Sequence, residues 1–127
     1  MREIFNTKKI SEFKDNSLLI VDDDNPFRER LSRAMEKKGF KVSQAESVKI
    51  GIESVRLKKP TFAVVDLRLN DGNGLEVVKE IQKNNIDSRI IMLTGYGNIP
   101  TAVGIFLYPV NIIILLSVLF ICISFTT

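Results

Sequence analysis

Short stretches that are apolar at nearly every position, residues 18–21, 62–65 and 90–93, recur between segments whose apolar residues fall at helical spacing. That alternation constrains the fold more than any other feature of the chain, because a strand apolar on both faces must be covered on both faces, as central strands of parallel sheets are. After the first stretch, Asn25 and Pro26 offer an N-cap and a first helical position. Phe27, Leu31, Ala34 and Met35 then share one helical face, and Gly39 is placed to close the helix in a left-handed cap. Residues 40–45 alternate apolar with polar, the pattern of a strand near a sheet edge. Ser47 predicts the cap of a second helix with Val48, Ile52 and Val55 inward and Pro60 beyond its end. A turn containing Asp71-Gly72-Asn73-Gly74 leads into a third helix with Leu75, Val78 and Ile81 on its inner side, and residues 89–93 form the next strand, ending at Thr94-Gly95. The order β-α-β-α-β-α-β implies a parallel sheet with right-handed crossovers. The expected fold is α/β, a flavodoxin-like doubly wound sheet of strand order 2-1-3-4 in three α/β/α layers, with the fifth strand left open.

The strand ends carry the chemistry. Asp22 and Asp23 close the first apolar stretch, and Asp66 closes 62–65. In the expected topology both ends lie at the switch point beyond the carboxyl edge of the sheet, where Thr94 arrives one strand over. Grouped anions repel and lose hydration unless a cation or proton relieves them, so the cluster asks for a divalent ion. Mg²⁺ takes one or two carboxylates plus phosphoryl oxygens and keeps several waters, and Asp22 or Asp23 with Asp66 supplies that partial set. A carboxylate is also a competent nucleophile toward phosphorus; Asp66, on the central strand, is the candidate, with Thr94 donating its hydroxyl to the added group. One acid alone would read as ordinary turn and capping chemistry. Two acidic strand ends with Thr94 favour a site.

Length and charge narrow the setting. A chain of 127 residues suits one domain with its own core. The single cysteine cannot form an internal disulfide and no signal-peptide pattern opens the chain, so a cytoplasmic setting is expected. The net charge of +3 is mild and its cations are scattered among acids, which does not predict nucleic-acid binding. Residues 1–16 are polar, of mixed charge and without period, and read as a loose N-terminal extension.

Leu19-Ile20-Val21-Asp22-Asp23-Asp24, then Val65-Asp66-Leu67-Arg68-Leu69 with Gly72 and Gly74-Leu75 after it, and Leu93-Thr94-Gly95-Tyr96-Gly97 resemble response-regulator receiver domains over residues 17–103. The wording around Asp66 and Thr94 is similar to the redox- and photosynthesis-linked regulators of alphaproteobacteria. The resemblance implies a phosphorelay. Asp22 and Asp23 would bind Mg²⁺ with Asp66, and the backbone carbonyl of Arg68 would complete the metal shell. Asp66 would accept the phosphoryl group from a sensor histidine kinase, and Thr94 would act as the switch hydroxyl. A receiver is an acceptor, so no turnover enzyme is expected. The rival readings are a non-phosphorylated interaction module and, more weakly, an aspartyl-phosphate phosphatase, for which the chain offers no histidine.

Receivers also carry a lysine at the end of the fifth strand, and here the last lysine is Lys83 and the last cation Arg89. All 18 lysines and arginines and all 15 aspartates and glutamates lie before position 90. Three accounts of residues 104–127 compete. The apolar run 102–125 is long enough to cross a membrane, but Pro109 and Asn111 interrupt it and no charged or Trp anchors flank it. Alternatively, residues 111–116 substitute for the fifth strand, followed by a stretch without a polar face. Third, and favoured, the segment is an out-of-frame reading of a longer gene, since the break in composition is abrupt. Without a cation after Arg89, the segment is not expected to contact DNA.

Overall fold

The computed structural model describes residues 15–85, 87–93 and 112–115, the last four as backbone only. Strand β1 (Ser17–Val21) lies between β2 (Lys41–Ala45) and β3 (Phe62–Asp66), parallel to both, with Val21 opposite Ala45 on one side and Val65 on the other. Strand β6 (Arg89–Leu93) pairs in parallel with β3 so that Asp66 faces Leu93. Two short strands, β4 (Arg68–Leu69) and β5 (Gly72–Asn73), form a separate antiparallel hairpin. Strand β7 (Ile112–Leu115) completes a five-stranded sheet of order β2-β1-β3-β6-β7. The expected parallel order is present, and the slot left open beside the fourth strand is taken by residues within the 111–116 segment. Ile90 pairs with Ile112 and Leu93 with Leu115.

Strand alternation explains how the helices divide between the faces. Leu19, Val21, Ala63, Val65, Ile90 and Met92 point to one side, against Val48 and Val55 of α2 (Val48–Leu57) and Val77, Val78 and Ile81 of α3 (Leu75–Asn84). Leu18, Ile20, Val64 and Leu93 point to the other side, against Leu31 and Met35 of α1 (Asn25–Lys37). Phe40 and Phe62 close that face edge-on, with ring centroids 5.3 Å apart. Each of the fully buried valines and isoleucines contributes about 1.5–3 kcal/mol relative to exposure, and among the described residues they are shared between the central strands and the helices packed on them.

Three local readings change. Asp24, not Asn25, caps α1: its Oδ1 accepts the Phe27 N–H at 3.1 Å. Pro26 thereby moves to the second helical position, where a missing donor is equally harmless. Asp15 and Asn16, expected to belong to a loose arm, are tied to the sheet. Asp15 Oδ1 accepts the Ser17 N–H at 2.9 Å, and Asn16 donates to the Gly39 carbonyl at 2.6 Å. Within the third helix, Val77 joins Val78 and Ile81 in the core while Leu75 is only partly buried. Gly39 has φ 103°, the left-handed closure expected of it, and Ser47 Oγ accepts the Ile50 N–H at 3.1 Å as the cap of α2. No helix among the described residues is long and apolar enough to cross a membrane.

Candidate functional site

The carboxylates of Asp22, Asp23 and Asp66 each present an oxygen within 4.8 Å of the others. The topology brings them together: β1 and β3 are neighbours, run in the same direction and end level with each other. Asp22, 5% exposed, is fixed through its backbone. Its N–H donates to the Ala45 carbonyl at 3.0 Å and its own carbonyl accepts from Arg28 Nη1 at 2.7 Å. Its Oδ1 accepts the Asp24 N–H at 2.9 Å, which orients the carboxylate toward the turn. Asp24 itself is spent on capping α1, so within the acidic run Asp22 and Asp23 converge on Asp66 while Asp24 has a structural partner.

Asp66 sits at the end of β3 with its carboxyl accepting the Arg68 N–H at 3.2 Å. The chain leaves the strand under tight control, since Leu67 N–H donates to the Leu93 carbonyl at 2.9 Å and Gly74 N–H to the Leu67 carbonyl at 2.8 Å. Gly74 is required there: a Cβ would collide with the Asp66 carbonyl oxygen. Burial, reinforced by the Asp22 charge, pushes the Asp66 carboxyl up to about 7 against the opposing Arg68 N–H. Burial, with the charges of Asp23 and Asp24 beside it, raises Asp22 as well. Two partly desolvated anions held this close are what a hard divalent ion would relieve, and a set of carboxylate oxygens suits Mg²⁺. The three acids therefore fit such an ion.

Of the residues singled out from sequence, Asp22, Asp23 and Asp66 come together, and Arg68 follows Asp66 by two positions in β4. Thr94 lies outside the described residues. Two residues passed unnoticed in the sequence. Arg28 is buried, with Nε on Gln44 Oε1 at 3.0 Å and Nη1 on the Asp22 carbonyl. Its position on the same helical stripe as Leu31 and Met35 was the available signal. Asp71, which read only as a turn residue, accepts the Val48 N–H at 2.8 Å and the Lys49 N–H at 3.1 Å at the start of α2. A contact spanning more than twenty residues leaves no local trace in sequence.

A profile of the response regulator receiver domain matches residues 18–114, past the point where the motif resemblance ends. Over 90 residues the chain is 56% identical to the photosynthetic apparatus regulatory protein RegA of Rhodobacter capsulatus, covering 71% of this chain and 49% of that one. It is 57% identical over 90 residues to the acid tolerance regulatory protein ActR of Rhizobium meliloti, covering 71% of this chain and 46% of the relative. The chain thus spans about half the length of the curated relatives it matches. Among solved structures, a response regulator from Burkholderia pseudomallei, crystallised with a phosphorylated aspartic acid, calcium ion and citrate, superposes with a TM-score of 0.72. The two are 31% identical, and the match covers 79% of this chain and 59% of that one.

Proposed function

The chain belongs to the response regulator receiver domain family, and from that premise we propose that Asp66 is the phosphoacceptor of a two-component phosphorelay, with Asp22 and Asp23 as its metal ligands. Family members accept a phosphoryl group on an aspartate, and receivers are not in general turnover enzymes. The observation that carries the assignment to Asp66 is its place: it ends the central strand, half-buried, with two further carboxylates converging on it. In the proposed transfer, an Asp66 carboxylate oxygen attacks phosphorus in line. An O–P bond forms, the P–N bond of the donor phosphohistidine breaks, and the imidazole nitrogen keeps the electron pair. A bound Mg²⁺ would be held by Asp22, Asp23 and Asp66 with the Arg68 backbone carbonyl, and would offset the charge of carboxylates and phosphoryl oxygens. Asp22 holds its orientation through the Asp24 N–H, and Arg28 keeps the end of β1 from shifting. Thr94 is assigned the switch hydroxyl that meets the new phosphoryl group.

The partner class is a sensor histidine kinase, and the setting proposed for that exchange is the cytoplasm. No DNA contact is assigned to residues 90–127, which contain neither lysine nor arginine. Incubation with a small phosphodonor such as acetyl phosphate and Mg²⁺, read by intact mass, tests the acceptor. One phosphoryl group should appear on the wild-type protein and none on Asp66→Ala. Equal labelling of the two would overturn the assignment, and no labelling of either would leave an interaction module as the better reading.

A further inference from the structure

We propose that Asp71 is a positioning residue for phosphoryl transfer, a tether by which the N-terminus of α2 holds the loop that carries Asp66; the inference rests on the reading of Asp66 as acceptor. The hairpin β4–β5 starts two residues after Asp66, and Asp71 is in its two-residue tip. Each Asp71 carboxylate oxygen takes a different N–H, Val48 at 2.8 Å and Lys49 at 3.1 Å, so the carboxylate is fixed in orientation as well as position. The partly positive end of a helix favours this anion, and the Asp71 carboxyl is accordingly held below the usual carboxylate range, chiefly by the Val48 N–H.

The division of labour at this helix end separates the tether from an ordinary cap. Ser47 Oγ already satisfies the Ile50 N–H, as a local N-cap does. The two remaining donors, at Val48 and Lys49, are served from 22 and 23 residues away, by the tip of the acceptor loop. At its base the same loop is pinned by the Gly74 N–H on the Leu67 carbonyl and by Leu69, buried in the core. With base and tip both fixed, Arg68 cannot swing about the end of β3, and its N–H stays on the Asp66 carboxyl. Releasing the tip loosens the group on which the attacking oxygen and its metal shell depend.

The test compares Asp71→Ala and Asp71→Asn with Ser47→Ala, which weakens the same helix end without touching the loop. Labelling rates with phosphoramidate at saturating Mg²⁺ are read by intact mass, beside melting temperatures and with Asp66→Ala as the blank. Asp71→Ala should be slowed about 5- to 20-fold, Ser47→Ala should stay within about twofold of wild type, and Asp71→Asn, which keeps one acceptor oxygen, should fall between. Equal slowing of Asp71→Ala and Ser47→Ala, or an unchanged rate in Asp71→Ala, would overturn the tether while leaving Asp66 as acceptor. If Asp71→Ala does not fold, Asp71→Asn decides: a rate indistinguishable from wild type overturns the proposal. A wild-type protein that takes up no phosphoryl group overturns the acceptor reading and the tether together.

Discussion

The strain of grouping three carboxylates falls mainly on Asp66, whose carboxyl is pushed up to about 7 by burial and the Asp22 charge. A folded-state value above the unfolded one means that the folded protein holds this proton more tightly than the unfolded chain. The stabilisation is complete below about pH 4, where both states are protonated, and is lost as pH rises through about 7. In EDTA, therefore, the contribution of this group, reduced by solvent screening because Asp66 is only half-buried, should fall by on the order of 2 kcal/mol between pH 4 and pH 8. Asp66→Asn, neutral throughout, should flatten that slope and melt higher than wild type at pH 8; chemical denaturation across pH without metal checks this, and an unchanged slope contradicts it. Because Mg²⁺ binding requires the ionised carboxylate, it should also release protons near neutral pH. Its apparent affinity should climb by up to about tenfold per pH unit below 7, measurable by calorimetry in buffers of different ionisation enthalpy. The three acids were legible as strand ends, because a charge closing a buried strand stands out locally. Arg28 was not: one cation on a helical stripe resembles a solvated surface residue until the neighbouring strand shows that it binds the Asp22 carbonyl.

Elements place these residues through a few unforgiving contacts. At the start of α3, Gly74 approaches the Asp66 carbonyl so closely that a methyl group must displace either the helix or Asp66. Gly74→Ala is expected to cost roughly 2–4 kcal/mol and to suppress Mg²⁺-dependent labelling beyond what the stability loss explains, measured by urea titration beside intact mass. A variant with wild-type stability and labelling would show that the loop can retreat. The strands themselves were readable because β1 and β3 are apolar on both faces and periodicity needs no partner to be seen. The capping residue of α1 was displaced by one position because three candidate acceptors, Asp23, Asp24 and Asn25, stand in a row. Only backbone geometry selects the one whose oxygen reaches the Phe27 N–H. The hairpin β4–β5 was hidden for a related reason: two-residue strands carry no period, so Asp71-Gly72-Asn73-Gly74 announced a turn and nothing more.

Across the whole molecule the question is what residues beyond 103 contribute, since composition changes abruptly while the sheet continues. The structure sets Ile112–Leu115 against β6 as a fifth parallel strand, in register from Ile90 to Leu93. Sequence alone left that segment open among a buried strand, a membrane helix and a favoured accident of reading frame, because a wholly apolar run is compatible with each. Without β7, the outer edge of β6 would present its N–H and C=O groups unpaired, next to Ile90, Met92 and Leu93, which are almost fully buried. An exposed edge of that kind invites pairing with another chain. A chain ending at Val103 should therefore lose on the order of 3 kcal/mol, from several ladder hydrogen bonds and the burial they accompany, and should self-associate. Thermal melts and size-exclusion chromatography of residues 1–103 and 1–127 at matched concentration test this. Equal melting points and a monomeric short form would mean that the sheet is complete at β6 and that the strand position of residues 112–115 adds nothing to the fold. A large drop would make the segment part of the domain whatever its origin. The absence of lysine after Lys83 would then bear on how the site responds to a phosphoryl group, and no longer on whether the sheet that builds the site can form.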